Sequence, residues 1–334
     1  MSGLPDATFI EAPFAGLAIL SLLGIGVASL ALFCKSRDPA RRGFWWLGPA
    51  SLTLGIFAIL DLAMVLWFRL AIPSFETVTR LIQVSALFYH NAYIQVFIVL
   101  VELAVGLHGI VVVADNATTT TTNKFRKVAR GCMFATASIV SALIVTEFIA
   151  GLAVTPLVPG PRNDQNIRQA LPKVRVTAHM ILLAASIAAL GLAVYVFRLA
   201  RKSHFAGNEI CQYLTSMRMT RKQVHKLLLA AVILFLFHAL FYLATDISAL
   251  VPYRVIGSGF TVFQSQMEYE HRQYGVFVLA VVGNSFLTPI AVVLLFVAGR
   301  RQAGGLWSSQ QGGAGTEVGV GDVGKGEREH NPSV

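Results

Sequence analysis

Four carboxylic acids, Asp61, Glu102, Glu147 and Asp246, stand inside stretches of sequence that otherwise hold almost no charge, and His238 stands with them. Carboxyl and imidazole groups donate and accept protons, so the chemistry within reach is acid–base. A charge near the centre of a bilayer costs about 2.5–3.5 kcal/mol on insertion scales, which makes each such residue a candidate functional group. Spacing then sorts them. His238, Tyr242 and Asp246 follow one another at intervals of four and stack on one helical face. Asn91, Gln95 and Glu102, separated by four and seven, make a second polar face, which continues to Gly106 and Gly109, where a neighbouring helix could approach closely. Asn284 and Thr288 share a third. The candidate catalytic groups are Glu102, Asp246, Asp61, Glu147, His238 and Tyr242. Glu102 leads because aromatic residues crowd its segment; Asp246 follows because His238 and Tyr242 could relay or orient its proton. Tyr89, Asn91, Tyr93, Gln95, Phe235 and Asn284 are the candidate substrate contacts.

Other chemistries find no residues to carry them. The last apolar run has no lysine for a retinal Schiff base, no Asn-Pro-x-x-Tyr occurs in it, and no Asp-Arg-Tyr follows the third run. No acidic pair suits magnesium and a diphosphate: Asn163-Asp164-Gln165-Asn166 holds one acid and reads as a turn. Glu268-Tyr269-Glu270-His271-Arg272 alternates charge as a solvated loop does, and no His-Glu-x-x-His is present. No metal, redox cofactor or nucleotide is expected. Asn284, Gln95 and Thr288 also have a plainer role, as hydrogen bonds between helices worth about 0.6 kcal/mol each. His108 reads as structural.

The elements that must position these groups follow from composition. Only 13% of the 334 residues are charged and 55% are hydrophobic, with a mean hydropathy of +0.65. A soluble domain carries about 25% charged residues. That difference excludes a soluble enzyme, a disordered regulator and a disulfide-stapled secreted domain. A span needs about 20 apolar residues, and seven runs qualify, near 13–34, 44–68, 86–114, 131–154, 178–198, 227–251 and 275–299. The expected fold is all-α, a bundle of seven transmembrane helices within residues 1–301, with kinks at Pro49 and Pro289.

The net charge of +10 sits in the links between runs, where it orients the chain and needs no nucleic acid. Lys35, Arg37, Arg41 and Arg42, then Lys124, Arg126, Lys127 and Arg130, then the basic stretch 199–226, mark one side. That bias places the N-terminus outside or lumenal and the C-terminus in the cytosol. Glu102, His238 and Asn284 then fall near mid-membrane, and Asp61, Glu147 and Asp246 toward the outer side. The first run is read as a retained span. The Asn116-Ala117-Thr118 sequon is expected to be silent on the cytosolic side, and Thr118 to Thr122 reads as a loop. Residues 302–334, rich in glycine and mixed charge, are expected to form a flexible tail. Cys34, Cys132 and Cys211 all fall near the cytosolic face, so no outer disulfide is expected.

Buried acids, no cofactor motif, and the aromatics Phe88, Tyr89, Tyr93, Phe235, Phe237, Phe241 and Tyr242 suit an acid-initiated isomerisation of a lipophilic molecule. In layout and composition, residues 13–299 resemble the fungal membrane terpene cyclases that act on prenylated aromatic, or meroterpenoid, precursors. The resemblance implies a compact helical bundle, a buried acid as proton donor, and a lipophilic epoxidised or prenylated aromatic substrate. The endoplasmic reticulum membrane is the expected site, with membrane lipid and that substrate as the partners. Two other readings share the layout. One is a seven-helix receptor of the plasma membrane coupling through 199–226; the other is a proton-linked transporter, which the absence of an internal repeat disfavours.

Overall fold

A segment in hydrocarbon must satisfy its own backbone hydrogen bonds, and the helix is the form that does so within one segment. The computed structural model describes residues 7–35, 42–70, 75–114, 119–154, 163–206, 215–250 and 287–300, and all of the regular structure in them is helical. The helices are α1 (Ala7–Lys35), α2 (Arg42–Leu70), α3 (Phe75–Ala114), α4 (Thr119–Val154), α5 (Asn163–Ala206), α6 (Thr215–Leu250) and α7 (Thr288–Arg300). Six of them are long and apolar enough to cross a membrane: Ala15–Cys34, Gly43–Met64, Thr77–Gly109, Asn123–Ala153, Ala170–Leu199 and Val224–Ile247. Large apolar side chains such as Leu20, Ile139, Ile149, Ile187 and Phe237 point outward from the bundle. An outer surface of that kind belongs in lipid, and the chain has the make-up of an integral multi-pass membrane protein. The segment 275–286, the first part of the expected seventh span, lies outside the described residues.

Consecutive helices pack against each other, and α3 also touches α5, α6 and α7. It is buried almost throughout from Tyr89 to Gly109, so it is the central helix of the bundle. The α1–α2 contact is the tightest. A Cβ added at Gly26 would fall 2.7 Å from Leu52, and one at Gly48 2.7 Å from Leu30. Each of these glycines also lies close to the other's carbonyl oxygen, at 3.3 and 3.4 Å from the added Cβ. The two backbones cross where neither has a side chain, as small residues permit in membrane helices. At Gly109 the space admits the Arg126 guanidinium instead of another helix backbone. Pro49 is accommodated inside α2, where the Thr53 hydroxyl donates to its carbonyl oxygen at 2.7 Å. Pro289 is the second residue of α7, which directly follows the π-helical Leu287.

The helices extend well beyond the apolar runs, and three sequence expectations change with them. Thr119 to Thr122 belong to α4 and not to a loop. The Asn163-Asp164-Gln165-Asn166 stretch opens α5, which continues through Pro172. Within 199–226, α5 reaches Ala206 and α6 begins at Thr215, so Arg218, Arg221, Lys222 and Lys226 are helical. Apolar length marks where a helix is buried in lipid, whereas backbone bonding alone can carry it several turns further into water. The expectations for the tail 302–334, the Asn116 sequon, 268–272 and Cys211 lie outside the described residues, while Cys34 and Cys132 are free and exposed.

Candidate functional site

The α6 stripe faces the centre of the bundle, where its members meet α3, α5 and α7. Asp246, near the C-terminal end of α6, pairs through its carboxylate with Nδ1 of His179 on α5. Nε2 of His179 lies 3.0 Å from Nε2 of His90 on α3. Nδ1 of His90 in turn reaches the carbonyl oxygen of Ala86, one turn back, at 2.6 Å. A carbonyl only accepts, so His90 donates from Nδ1, and with that ring neutral its Nε2 is the acceptor. The hydrogen between the two histidines therefore belongs to His179. With that nitrogen committed, the contact between His179 Nδ1 and Asp246 requires a further proton, which the pair shares. Carboxylate with imidazolium, or carboxylic acid with imidazole, the pair is uncharged overall. Asp246–His179–His90 is thus a line of groups holding one exchangeable proton, with His90 and His179 both almost fully buried.

A second line runs beside it. His238 is 1% exposed; its Nε2 meets the hydroxyl of Tyr89, and its Nδ1 lies 3.3 Å from the Thr288 hydroxyl on α7. The Tyr93 hydroxyl donates to the carbonyl oxygen of Phe235 at 2.9 Å. Aromatic faces fill the space between the lines. Tyr89 and Tyr242 stack at 4.9 Å and 15°, and Tyr93 and Phe235 at 4.1 Å and 14°. Tyr242 borders both lines, with ring centroids 5.5 Å from His179 and 4.8 Å from His238. Phe57 of α2 closes one side against Tyr89 at 4.8 Å. The arrangement can supply a proton, take one back, and shelter positive charge under aromatic rings.

Of the expected site residues, Asp246, His238, Tyr242, Tyr89, Tyr93 and Phe235 are brought together here. The others are not. Glu102 accepts two hydrogen bonds from Arg130 of α4, at 2.8 Å from Nε and 2.7 Å from the terminal nitrogen. Glu147 is held by Arg175 of α5. Among Lys and Arg, only Arg198, at the end of the fifth, lies within the apolar runs. Arg130 and Arg175 come from just beyond those runs, where long side chains reach inward. Asn91 is exposed, and its carbonyl oxygen takes a hydrogen bond from Gln95 at 3.4 Å. The stripe of Asn91, Gln95 and Glu102 lies on the side of α3 away from Tyr89 and Tyr93, so the two polar faces do not line one space. Asp61 stands half-buried on α2, and Asn284 lies outside the described residues.

His179 and the role of His90 escaped the sequence reading. His179 is near the start of the fifth apolar run, and an ionisable residue there is itself the signal that finds it. Its pairing with Asp246 had no such signal. Among the described residues no three His, Cys, Asp or Glu side chains are grouped so as to hold a metal ion. No protein-family model matches the chain, and no curated protein or solved structure matches it either.

Proposed function

We propose that this chain is a membrane-embedded isomerase or cyclase that works by acid–base catalysis on a lipophilic substrate, an epoxidised or prenylated aromatic compound. The observation that carries the reading is the proton-bearing line Asp246–His179–His90 set beside stacked tyrosines inside an apolar bundle. In this scheme the Asp246–His179 pair delivers its shared proton to an epoxide oxygen or an alkene carbon, leaving carboxylate and neutral imidazole. The resulting cation rearranges under the faces of Tyr89, Tyr242, Tyr93 and Phe235. Loss of a proton from carbon then restores the pair, so the product has the mass of the substrate and no proton is consumed. The proton donor assigned here is Asp246 with His179, in place of Glu102, whose carboxylate is occupied by Arg130. The basic links favour a lumenal N-terminus and a cytosolic C-terminus, and the endoplasmic reticulum is the proposed membrane.

The test is expression in yeast, with microsomes fed epoxidised prenyl-aromatics and products read by mass spectrometry. Wild type is expected to yield a product of unchanged mass, lost in Asp246→Asn and in His179→Gln at normal protein levels. Turnover that survives both substitutions overturns the assignment, and wild-type protein that converts none of the panel counts against the reaction class.

A further inference from the structure

Of the four acids Asp61, Glu102, Glu147 and Asp246, three have basic partners among the described residues. Glu102 takes Arg130, Glu147 takes Arg175 and Asp246 takes His179. Asp61 has no hydrogen bond or ion pair among the described residues. It does not stand on an outward face. Ala50, Leu54, Phe57 and Asp61 follow at intervals of four, three and four, which is one helical stripe. Ala50 and Leu54 are buried, and the Phe57 ring packs on Tyr89.

The register identifies what faces Asp61. Gly43 lies against Leu103, and Phe57 lies against Tyr89. Both pairs are fourteen residues apart along their own helix, in opposite directions, so α2 and α3 run antiparallel in a fixed register. One turn beyond Phe57 is Asp61, and one turn back from Tyr89 is Ser85. Ser85 is 3% exposed, and its hydroxyl oxygen has no hydrogen-bond partner. A buried hydroxyl left unsatisfied and a carboxyl left unpaired are each costly alone. The register sets the two at one level, a turn beyond the Phe57–Tyr89 contact on their own helices.

We propose that Asp61 and Ser85 form a binding site for a protonated amine carried on an apolar body, the ligand's ammonium group completing the ion pair for which the described residues provide no base. The carboxylate balances the charge, the Ser85 oxygen accepts an N–H, and the faces of Phe57 and Tyr89 attract the cation. One carboxylate and one hydroxyl are too few ligands for calcium or magnesium. An alcohol could satisfy the hydrogen bonds but would leave the charge unmatched. The site is separate from the Asp246 line and does not depend on it. Its occupant would abut Tyr89, and would therefore sense whatever lies under the tyrosine stack.

The experiment uses the full chain in phosphatidylglycerol nanodiscs, which contain no ammonium lipid. Thermal unfolding is measured first without any ligand. Ser85→Lys places an ammonium group opposite Asp61 and is expected to raise the melting temperature, whereas in combination with Asp61→Asn it is expected to lower it. Binding is then measured for N,N-dimethylphenethylamine and for phenethyl alcohol. The amine is expected to bind at least about tenfold more tightly than the alcohol, and to lose at least about tenfold in Asp61→Asn, the scale for removing one member of a buried charge pair. Adding phosphatidylethanolamine distinguishes the source: competition assigns the site to a lipid headgroup, and no competition to a free amine. Destabilisation by Ser85→Lys to the same degree with and without Asp61→Asn overturns the juxtaposition. Equal affinity for amine and alcohol, or no binding of the amine, overturns the ligand class.

Discussion

Removing Arg130 is expected to destabilise the bundle far more than removing Arg130 and Glu102 together. The Glu102 side chain is 6% exposed and that of Arg130 26%, and two hydrogen bonds of 2.7 and 2.8 Å join them. Breaking a buried ion pair by deleting one partner costs about 3–5 kcal/mol, because the other charge stays buried. Arg130 is a quarter exposed, so Arg130→Leu belongs near the lower end, at about 3 kcal/mol. Arg130→Leu with Glu102→Leu removes both charges and is expected to fall within about 1 kcal/mol of wild type. The coupling energy from the four-protein cycle is then about 2 kcal/mol or more. Unfolding of the four proteins in nanodiscs, followed by denaturant titration, measures it. Single substitutions whose losses simply add would refute the argument, as would an Arg130→Leu protein as stable as wild type. A sharper refutation is available from turnover. If Glu102→Gln folds normally and loses all conversion of a substrate that wild type converts, the proton comes from Glu102 and the assignment to Asp246 is wrong.

The remaining expectations concern packing and the other polar pairs. Gly48→Ala puts a methyl group 2.7 Å from Leu30 and is expected to cost about 1–3 kcal/mol, whereas Gly24→Ala, with nothing within 4 Å, should cost nothing. Unfolding of the two variants side by side decides it. Glu147→Gln is expected to cost less than about 1 kcal/mol and to lose its effect at high salt, because Arg175 is 49% exposed. His238→Phe deprives the Tyr89 hydroxyl of its imidazole at a cost of about 1–3 kcal/mol, and adding Tyr89→Phe should recover part of it. Stability measurements on the single and double variants would show no recovery if that hydrogen bond contributed nothing.

Much of the architecture was legible in the sequence. Charge-free runs of span length depend only on composition, because lipid demands apolar length from every segment that crosses it. The α6 stripe was equally legible, since His238, Tyr242 and Asp246 share a face by helical geometry alone. The helix ends were less so: Thr119 to Thr122 and Asn163 to Asn166 lie outside the apolar runs, where hydropathy carries no signal about backbone bonding.

What the sequence could not determine was which faces meet. The polar stripe on α3 has the right spacing to line a pocket, yet it turns toward α4, and Tyr89, His90 and Tyr93 take the face toward α5 and α6. Spacing orders residues around one helix but says nothing of that helix's rotation against its neighbours. Rotation is decided by packing, here by α3 sitting at the centre and by Arg130 reaching Glu102 from α4. For the same reason the partner of each acid was invisible: Arg130, Arg175 and His179 lie 28, 28 and 67 residues from the acids they meet. The chain alone determines that acids lie in apolar helices, and only the tertiary structure decides that three are paired and that Asp61 has no partner among the described residues.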